Sequence, residues 1–436
     1  MIETLNSDCY CVSLDKEALR RALEADRAAG GLHAMIEERC PNLFASLPVF
    51  VAREHVDQMA AVIRAAEEVI ALPAYREAAL AWAPAIARHD PGAVGAFIGY
   101  DFHLGPQGPR LIEINTNAGG ALLNAVLARA QRACCAEIEA LVSGPVPAAS
   151  LERTLFEMFV SEWRRSGRTG LPKRIAIIDD APSEQFMYPE FLLFAQLFRG
   201  FGVEAAVLAP EQLAFENGVL RDAQGQVDLV YNRLTDFAFE APAHAALRDA
   251  YLADGAVITP HPRAHALYAD KRNLSLLSDE AQLRAWGVDP AVLATLLQHV
   301  PRTRIVTEVD AERLWAERRR LFFKPAAGHG SRAAYRGEKL TRRVWSEILA
   351  GTYVAQDLVL PSERRIGPEA SLKVDVRNYV YDGEVQLLAA RLYQGQTTNM
   401  RTAGGGFAPV LTTPSFAADR EPPRAPRTAQ RSPVAA

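Results

Sequence analysis

Residues 111–120 read LIEINTNAGG. The run opens as an apolar strand broken only at Glu113 and Asn115, which lie two apart and so project from one strand face. A glycine pair then opens a helix. An E-x-N triplet alone suits any solvated strand; a polar pair breaking an apolar strand just ahead of a glycine-led helix points to a built site. Upstream, AFIGYDFHL at 96–104 and the turn GPQGP at 105–109 predict a partner strand joined by a tight connection. Asp101 stands twelve positions before Glu113 and can reach the same point from that partner. Asp101, Glu113 and Asn115 then converge, a set suited to Mg²⁺, which takes one or two carboxylates with phosphate oxygens and water.

A second cluster follows in FFKPAAGHGSR at 322–332. An apolar strand delivers one ammonium, Lys324, and Gly328 and Gly330 let backbone N–H groups approach phosphate oxygens without a Cβ in the way. A glycine loop is more often a plain turn; its place between a lysine strand and TYVAQDLV at 352–359 makes it informative. No G-K-[ST] follows the glycines, so this is not a Walker P-loop. The third cluster lies on LKVDVRNYVYDG (372–383) and EVQLLAARLY (384–393), two long strands with Asp382-Gly383 as the hairpin turn. Asp375 and Arg377 share a face, Arg391 lies on the return strand, and Asn399, Arg401 and the run Gly404 to Gly406 come next. Arginines on a sheet floor fit recognition of carboxylate or phosphate and stabilisation of an acyl phosphate. A salt-bridged sheet surface is the plainer reading of any one of them.

Around these clusters the chain divides. Residues 1–150 read as a helical region plus the metal-binding strands, with Val56, Met59, Ala60, Ile63 and Ala66 as one apolar stripe on a helix over 54–70 and a helix from the glycine pair to about 142. Past SGPVPAAS (143–150) and a helix over 151–165, short apolar runs (IAIID, VEAAVLA, VDLVYN, AVIT) alternate with helix-like stretches. That alternation predicts a Rossmann-like parallel α/β domain over 151–262. Residues 263–415 carry a helix over 270–279 and strands at 304–306 and 320–324; the Pro- and Arg-rich 416–436 lacks large apolar groups and is expected to be disordered.

The 436 residues carry 48 Lys+Arg against 52 Asp+Glu, so no long-range field draws the chain to nucleic acid or an acidic membrane. The start, MIETLNSDCYC, lacks the features of a signal peptide and no apolar run is long enough for a span, which sets the expectation at the cytoplasm and a small-molecule partner. Cys9, Cys11, Cys134 and Cys135 have no zinc spacing and read as ordinary thiols.

These motifs carry a resemblance. LIEINTNAGG looks like the magnesium segment of ATP-grasp ligases, FFKPAAGHGSR like their lysine strand and glycine loop, VAQDLV like their adenine hinge, and D-V-R, Arg391 and the glycine run like the end of amino-acid ligases of that superfamily. The usual order places E-x-N last. Here it comes first, with an α/β domain between, which is similar to eukaryotic-type glutathione synthetase and glutathionylspermidine synthetase, circularly permuted ATP-grasp enzymes of the α/β (α+β) class. The resemblance covers 97–125 and 265–410. It implies that Asp101, Glu113 and Asn115 hold Mg²⁺, and that Lys271 and Lys324 contact the α- and β-phosphates of ATP. Gly328, His329, Gly330 and Ser331 would cover the γ-phosphate, and Gln356, Asp357 and Leu358 would line the adenine through backbone groups. Arg377, Arg391, Asn399 and Arg401 would face the acyl phosphate and the carboxylate substrate.

Two departures stand out. Gly328 takes the place of a loop glutamate that helps bind metal in glutathione synthetases, and synthesis without the amidase half of the spermidine enzymes is the expectation. The implied activity is ADP-forming ligation of a carboxylate to an amine, an amino acid or small peptide, with a homodimer compatible with the resemblance. Two other readings keep the fold: a small-molecule kinase, and a non-catalytic nucleotide sensor or peptide-binding module. Ser183, Asn232 and Arg233 are candidates for the substrate wall, because ligands gather at the carboxyl ends of parallel strands.

Overall fold

The computed structural model describes residues 2–24, 31–133, 148–328 and 333–413. Its largest element is a mixed sheet ordered Val49–Ala52, Gly406–Thr413, Glu384–Tyr393, Ala370–Tyr381, Ile98–Gly105 and Gly108–Asn115, with Ser362–Gly367 paired to Ala370–Tyr381. The two hairpins read from sequence meet edge to edge: Arg377 pairs with Asp101, and Asp101 with Glu113. Asp382 and Gly383 both have positive φ (51° and 79°), the geometry of a two-residue turn that matches strand twist.

Alternation of side chains gives this sheet two uses. Tyr100, Phe102, Leu104, Val374 and Val376 face the helices Arg53–Ile70 and Pro290–His299. Val56, Met59, Ile63 and Ala66 supply the expected stripe, but Val62 is buried with them while Ala60 is only half-buried. The odd-numbered positions Asp101, His103, Asp375 and Arg377 face the other way, where part of the sheet is covered by the helix Ala121–Arg129 and the rest forms a floor.

A parallel sheet runs in the order Val257–Thr259, Leu229–Asn232, Arg174–Ile178, Glu204–Leu208, the strands expected from the alternating apolar runs. A smaller antiparallel sheet, Thr303–Ile305, Tyr353–Asp357, Leu321–Pro325 and Tyr335–Arg336, stands over the floor of the large one. Two expectations fail. The helix from the glycine pair stops at Arg129, and Gln131–Ala133 pairs as a strand with Val12–Leu14. The helix over 270–279 is broken: a π-helical turn His265–Ala269 ends at Asp270, whose carboxylate accepts the Arg272 N–H and guanidinium, and helix resumes only at Asn273–Leu277. That break turns Lys271 out of a helix and into the site. Residues 134–147 and 416–436, including Cys134 and Cys135, lie outside the described residues; Cys9, Cys11 and Cys40 are free thiols. Among the described residues no helix is long and apolar enough to cross a membrane.

Candidate functional site

The first cavity, about 290 Å³, lies between the large sheet and the small one. Its floor is a ladder of charge set by strand register. Asp101 is buried and accepts from Arg377 Nε and Nη2, both at 2.6 Å, and from Asn115 Nδ2 at 2.9 Å, with Arg391 Nη2 at 2.8 Å. Arg391 also grips Asp375, which accepts from Thr398 as well. Burial alone would raise the Asp101 carboxyl, but the two guanidinium groups outweigh it and hold it below the ordinary carboxylate range. Arg391 Nε, also buried, has no hydrogen-bond partner among the described residues.

Across from this floor stand the lysines. A β-bulge between Asp101 and Phe102 leaves Ile112 out of the ladder, and its carbonyl accepts Lys324 Nζ at 2.7 Å. Gln356 Oε1 accepts from the same ammonium at 2.9 Å. Burial brings the Lys324 pKa down to about 8, with Glu113 pulling the other way. Lys271 Nζ lies 3.0 Å from Glu113 Oε1 and donates to the Gly328 carbonyl at 3.0 Å. Burial would raise Glu113; Lys271 and Lys324 together hold it below its ordinary value.

Most of the residues expected from sequence line this cavity: Asp101, Glu113, Asn115, Lys271, Lys324, Gly328, Gln356, Asp357, Leu358, Arg377, Arg391 and Asn399. Arg401 does not; it is exposed, and its backbone N–H bonds to Asn399 Oδ1. The Asn399 amide is likewise turned inward on its own loop, to Gln394 O and Thr397 O. In the hinge, the N–H groups of Asp357 and Leu358 are already bonded to the carbonyls of Arg302 and Arg320, because the strand is tied down on both sides. His329, Gly330 and Ser331 lie outside the described residues. Sequence reading missed His103, two positions from Asp101 on the same face, whose Nδ1 lies 2.9 Å from Val359 O. Strand alternation from Asp101 was the signal for it. Lys373, Thr398 and Tyr393 were missed as well.

A second cavity, about 270 Å³, opens from the first. The two share Asn115, Lys271, Gly328 and Arg377. Its far wall is the carboxyl end of the parallel sheet, where Asp179 and Arg233 follow the paired residues Ile178 and Asn232. Arg233 is tied to the 115–120 loop by Asn117 O at 3.1 Å and by Asn117 Oδ1. Of the three candidates for this wall only Arg233 lines it. Asn232 is spent on Pro260 O and the Leu234 N–H, and Ser183 is exposed on a 3₁₀ turn. Asp179, Thr235 and Phe237 take their places; burial raises the Asp179 carboxyl to about 6.

The arrangement can be set beside solved structures. A glutathione synthetase-like effector from Globodera pallida, in its apo form, superposes with a TM-score of 0.50 at 10% identity, covering 91% of this chain and 97% of that one. The chain shares the fold of that glutathione synthetase-like effector, a mixed α/β architecture. A protein described as a γ-glutamylcysteine synthetase from Methylobacillus flagellatus KT superposes at 0.46, with 11% identity over 83% of this chain and 89% of its own. The ATP-grasp ligase PsnB with its minimal precursor superposes at 0.31, with 14% identity over 54% and 88%. No family model matches the sequence, and no curated protein matches it. Asp101 and Glu113 come first in the chain yet pair in space beside Arg377 and Arg391.

Proposed function

We propose that this chain is an ATP-grasp enzyme, an ATP-dependent carboxylate-amine ligase that releases ADP and phosphate. One observation supports it most: two cavities meet at Lys271, Gly328, Asn115 and Arg377, the first walled by six cations against four carboxylates. A wall with surplus positive charge suits a polyanion such as ATP, and its junction with a second cavity is where a phosphoryl group would pass to a substrate.

The donor set fits Mg²⁺. Among the described residues no three acidic, histidine or cysteine side chains gather at one point, but Mg²⁺ bound with a nucleotide needs only one or two carboxylates. Glu113 and the Asn115 amide oxygen would hold it. Asp101, expected from sequence as a third ligand, has its oxygens taken up by two guanidinium groups and the Asn115 amide N–H, so we assign it to fixing Arg377 and Arg391. Bound there, the ion would neutralise phosphate charge as a Lewis acid.

In the proposed reaction, Lys324 and Lys271 bind the phosphates, and the Gln356–Leu358 hinge with His103 borders the base and sugar. A substrate carboxylate in the second cavity attacks the γ-phosphorus, the bond to ADP breaks, and an acyl phosphate forms. Arg391, with its unused Nε, and Arg377 stabilise the charge on that phosphate. An amine then attacks the acyl carbon, loses its proton, and phosphate departs. Asp179 and Arg233 offer opposite charges for orienting an amino acid or small peptide. The test is ADP release from Mg-ATP against amino acids, γ-glutamyl dipeptides and polyamines, run beside Glu113→Ala and Lys324→Ala. ADP formation that needs both a carboxylate and an amine and is lost in both variants is expected. Phosphorylation of a hydroxyl compound, or nucleotide binding with no turnover across the panel, would overturn it.

A further inference from the structure

His244 has no part in the reaction proposed above, yet it is buried and meets a carboxylate at each ring nitrogen. Nδ1 lies 2.7 Å from Asp236 Oδ2, and Nε2 lies 2.9 Å from Asp180 Oδ1. A neutral imidazole has a single N–H and can donate to only one of two carboxylates; the imidazolium donates to both. The two aspartates belong to different loops. Asp180 follows Asp179 at the end of Arg174–Ile178, and its carbonyl accepts the Gln185 side chain. Asp236 lies between Thr235 and Phe237 after Leu229–Asn232, and it also accepts the N–H groups of Ala238 and Ala241. Asp179, Gln185, Thr235 and Phe237 all line the second cavity. Each loop contains a residue with a Cβ in the left-handed region, Ala181 at φ 40° and Phe239 at φ 54°. Such conformations persist only where surrounding contacts hold them.

We infer that His244, as an imidazolium, clasps the two loops of the second cavity to each other and lets them part when it loses its proton. It is a positioning residue; that the clasped wall receives the substrate rests on the ligase reading. The other charged groups on the packed elements include Asp179, Glu211, Glu216, Arg221 and Asp222, Glu240, and Arg248 with Asp249, which pair on the helix Ala245–Leu252. Burial opposes charge on the ring, but Asp180 and Asp236 outweigh it and hold its pKa above the ordinary histidine value. Burial likewise opposes the Asp236 charge, but N–H donors from Ala241 and Glu240 and the ring hold that carboxyl below its own. The clasp is therefore closed between these limits, opens as pH rises through the raised His244 value, and opens again as pH falls through the lowered Asp236 value.

The test uses the full chain labelled with ¹³C-histidine, with His244→Gln to assign the resonance and Asp180→Asn, at a half-exposed position, to weaken the clasp without touching the core. The expected results are a His244 midpoint above 6.5, a lower midpoint in Asp180→Asn, and amide exchange over 179–187 and 232–241 about tenfold faster above the midpoint than below it, after correction for intrinsic rates. In His244→Gln both segments should exchange fast at every pH. A midpoint at or below 6.5, or exchange in both segments unmoved by pH and by the substitution, overturns the clasp. The KM for the amino substrate, compared with that for ATP, reads the ligase assignment separately; the His244 midpoint and the exchange decide the clasp.

Discussion

Lys324 carries its charge where an ammonium is costly, on a buried strand with Ile112 O and Gln356 Oε1 as its acceptors. Its folded pKa, about 8, lies below the ordinary value of 10.5, so the charged form disfavours folding at neutral pH and that cost is relieved as pH rises between these values. A buried ammonium of this kind suits an anionic ligand. Nucleotide affinity is expected to fall as pH rises through about 8, measured by calorimetric titration with Mg-ATP. Lys324→Met should bind roughly ten- to a hundredfold more weakly, the worth of a charged hydrogen bond, and lose that pH dependence. Asp101 makes the opposite case. It is needed by its neighbours, and Asp101→Asn, which leaves Arg377 and Arg391 short of a buried anion, should lower unfolding stability by about 3 kcal/mol in urea titration. The Mg²⁺ concentration for half-maximal activity should shift in Glu113→Gln and stay in place in Asp101→Asn.

At the scale of elements, the glycine pair after E-x-N shows how a local motif serves a distant contact. Gly120 has φ 102°, and a Cβ there would stand 2.2 Å from the Phe407 ring. Its N–H and that of Leu122 are accepted by the buried Glu190 carboxylate, so the start of the helix Ala121–Arg129 is closed by a side chain from Tyr188–Gly200. Gly120→Ala combines left-handed strain with overpacking and should cost about 2–4 kcal/mol, measured as a lowered melting temperature. The glycines were legible as a helix opening; their reason was not, because Phe407 and Glu190 lie far along the chain. The hairpins at 98–115 and 370–393 were legible, since period-2 alternation and turn residues are local signals. The break at Asp270–Lys271 was hidden, because the Lys271 N–H finds its partner at Ala326 O and not within a helix.

For the whole molecule, the site is an assembly of three sheets, and nucleotide bound between two of them should stabilise all. Mg-ATP well above its dissociation constant is expected to raise the melting temperature, and chelation of Mg²⁺ to remove most of that rise, as mass action on the folded state requires. The sequence by itself determined the strand and helix periods, the polar pairs that interrupt apolar strands, and the chemical types gathered for the site: lysines, arginines and E-x-N. Tertiary structure alone decided which of these meet. Strand register set Arg377 beside Asp101 and so gave the aspartate to the arginines. A bulge freed the Ile112 carbonyl for Lys324. The loops of the parallel sheet brought Arg233 to Asn117 and Asp180 and Asp236 to His244. Periodicity is a property of near neighbours in the chain, whereas the pairing of Arg377 with Asp101 and the contact of Lys324 with Ile112 join segments 276 and 212 residues apart, and no local pattern encodes which partner a buried carboxylate will find.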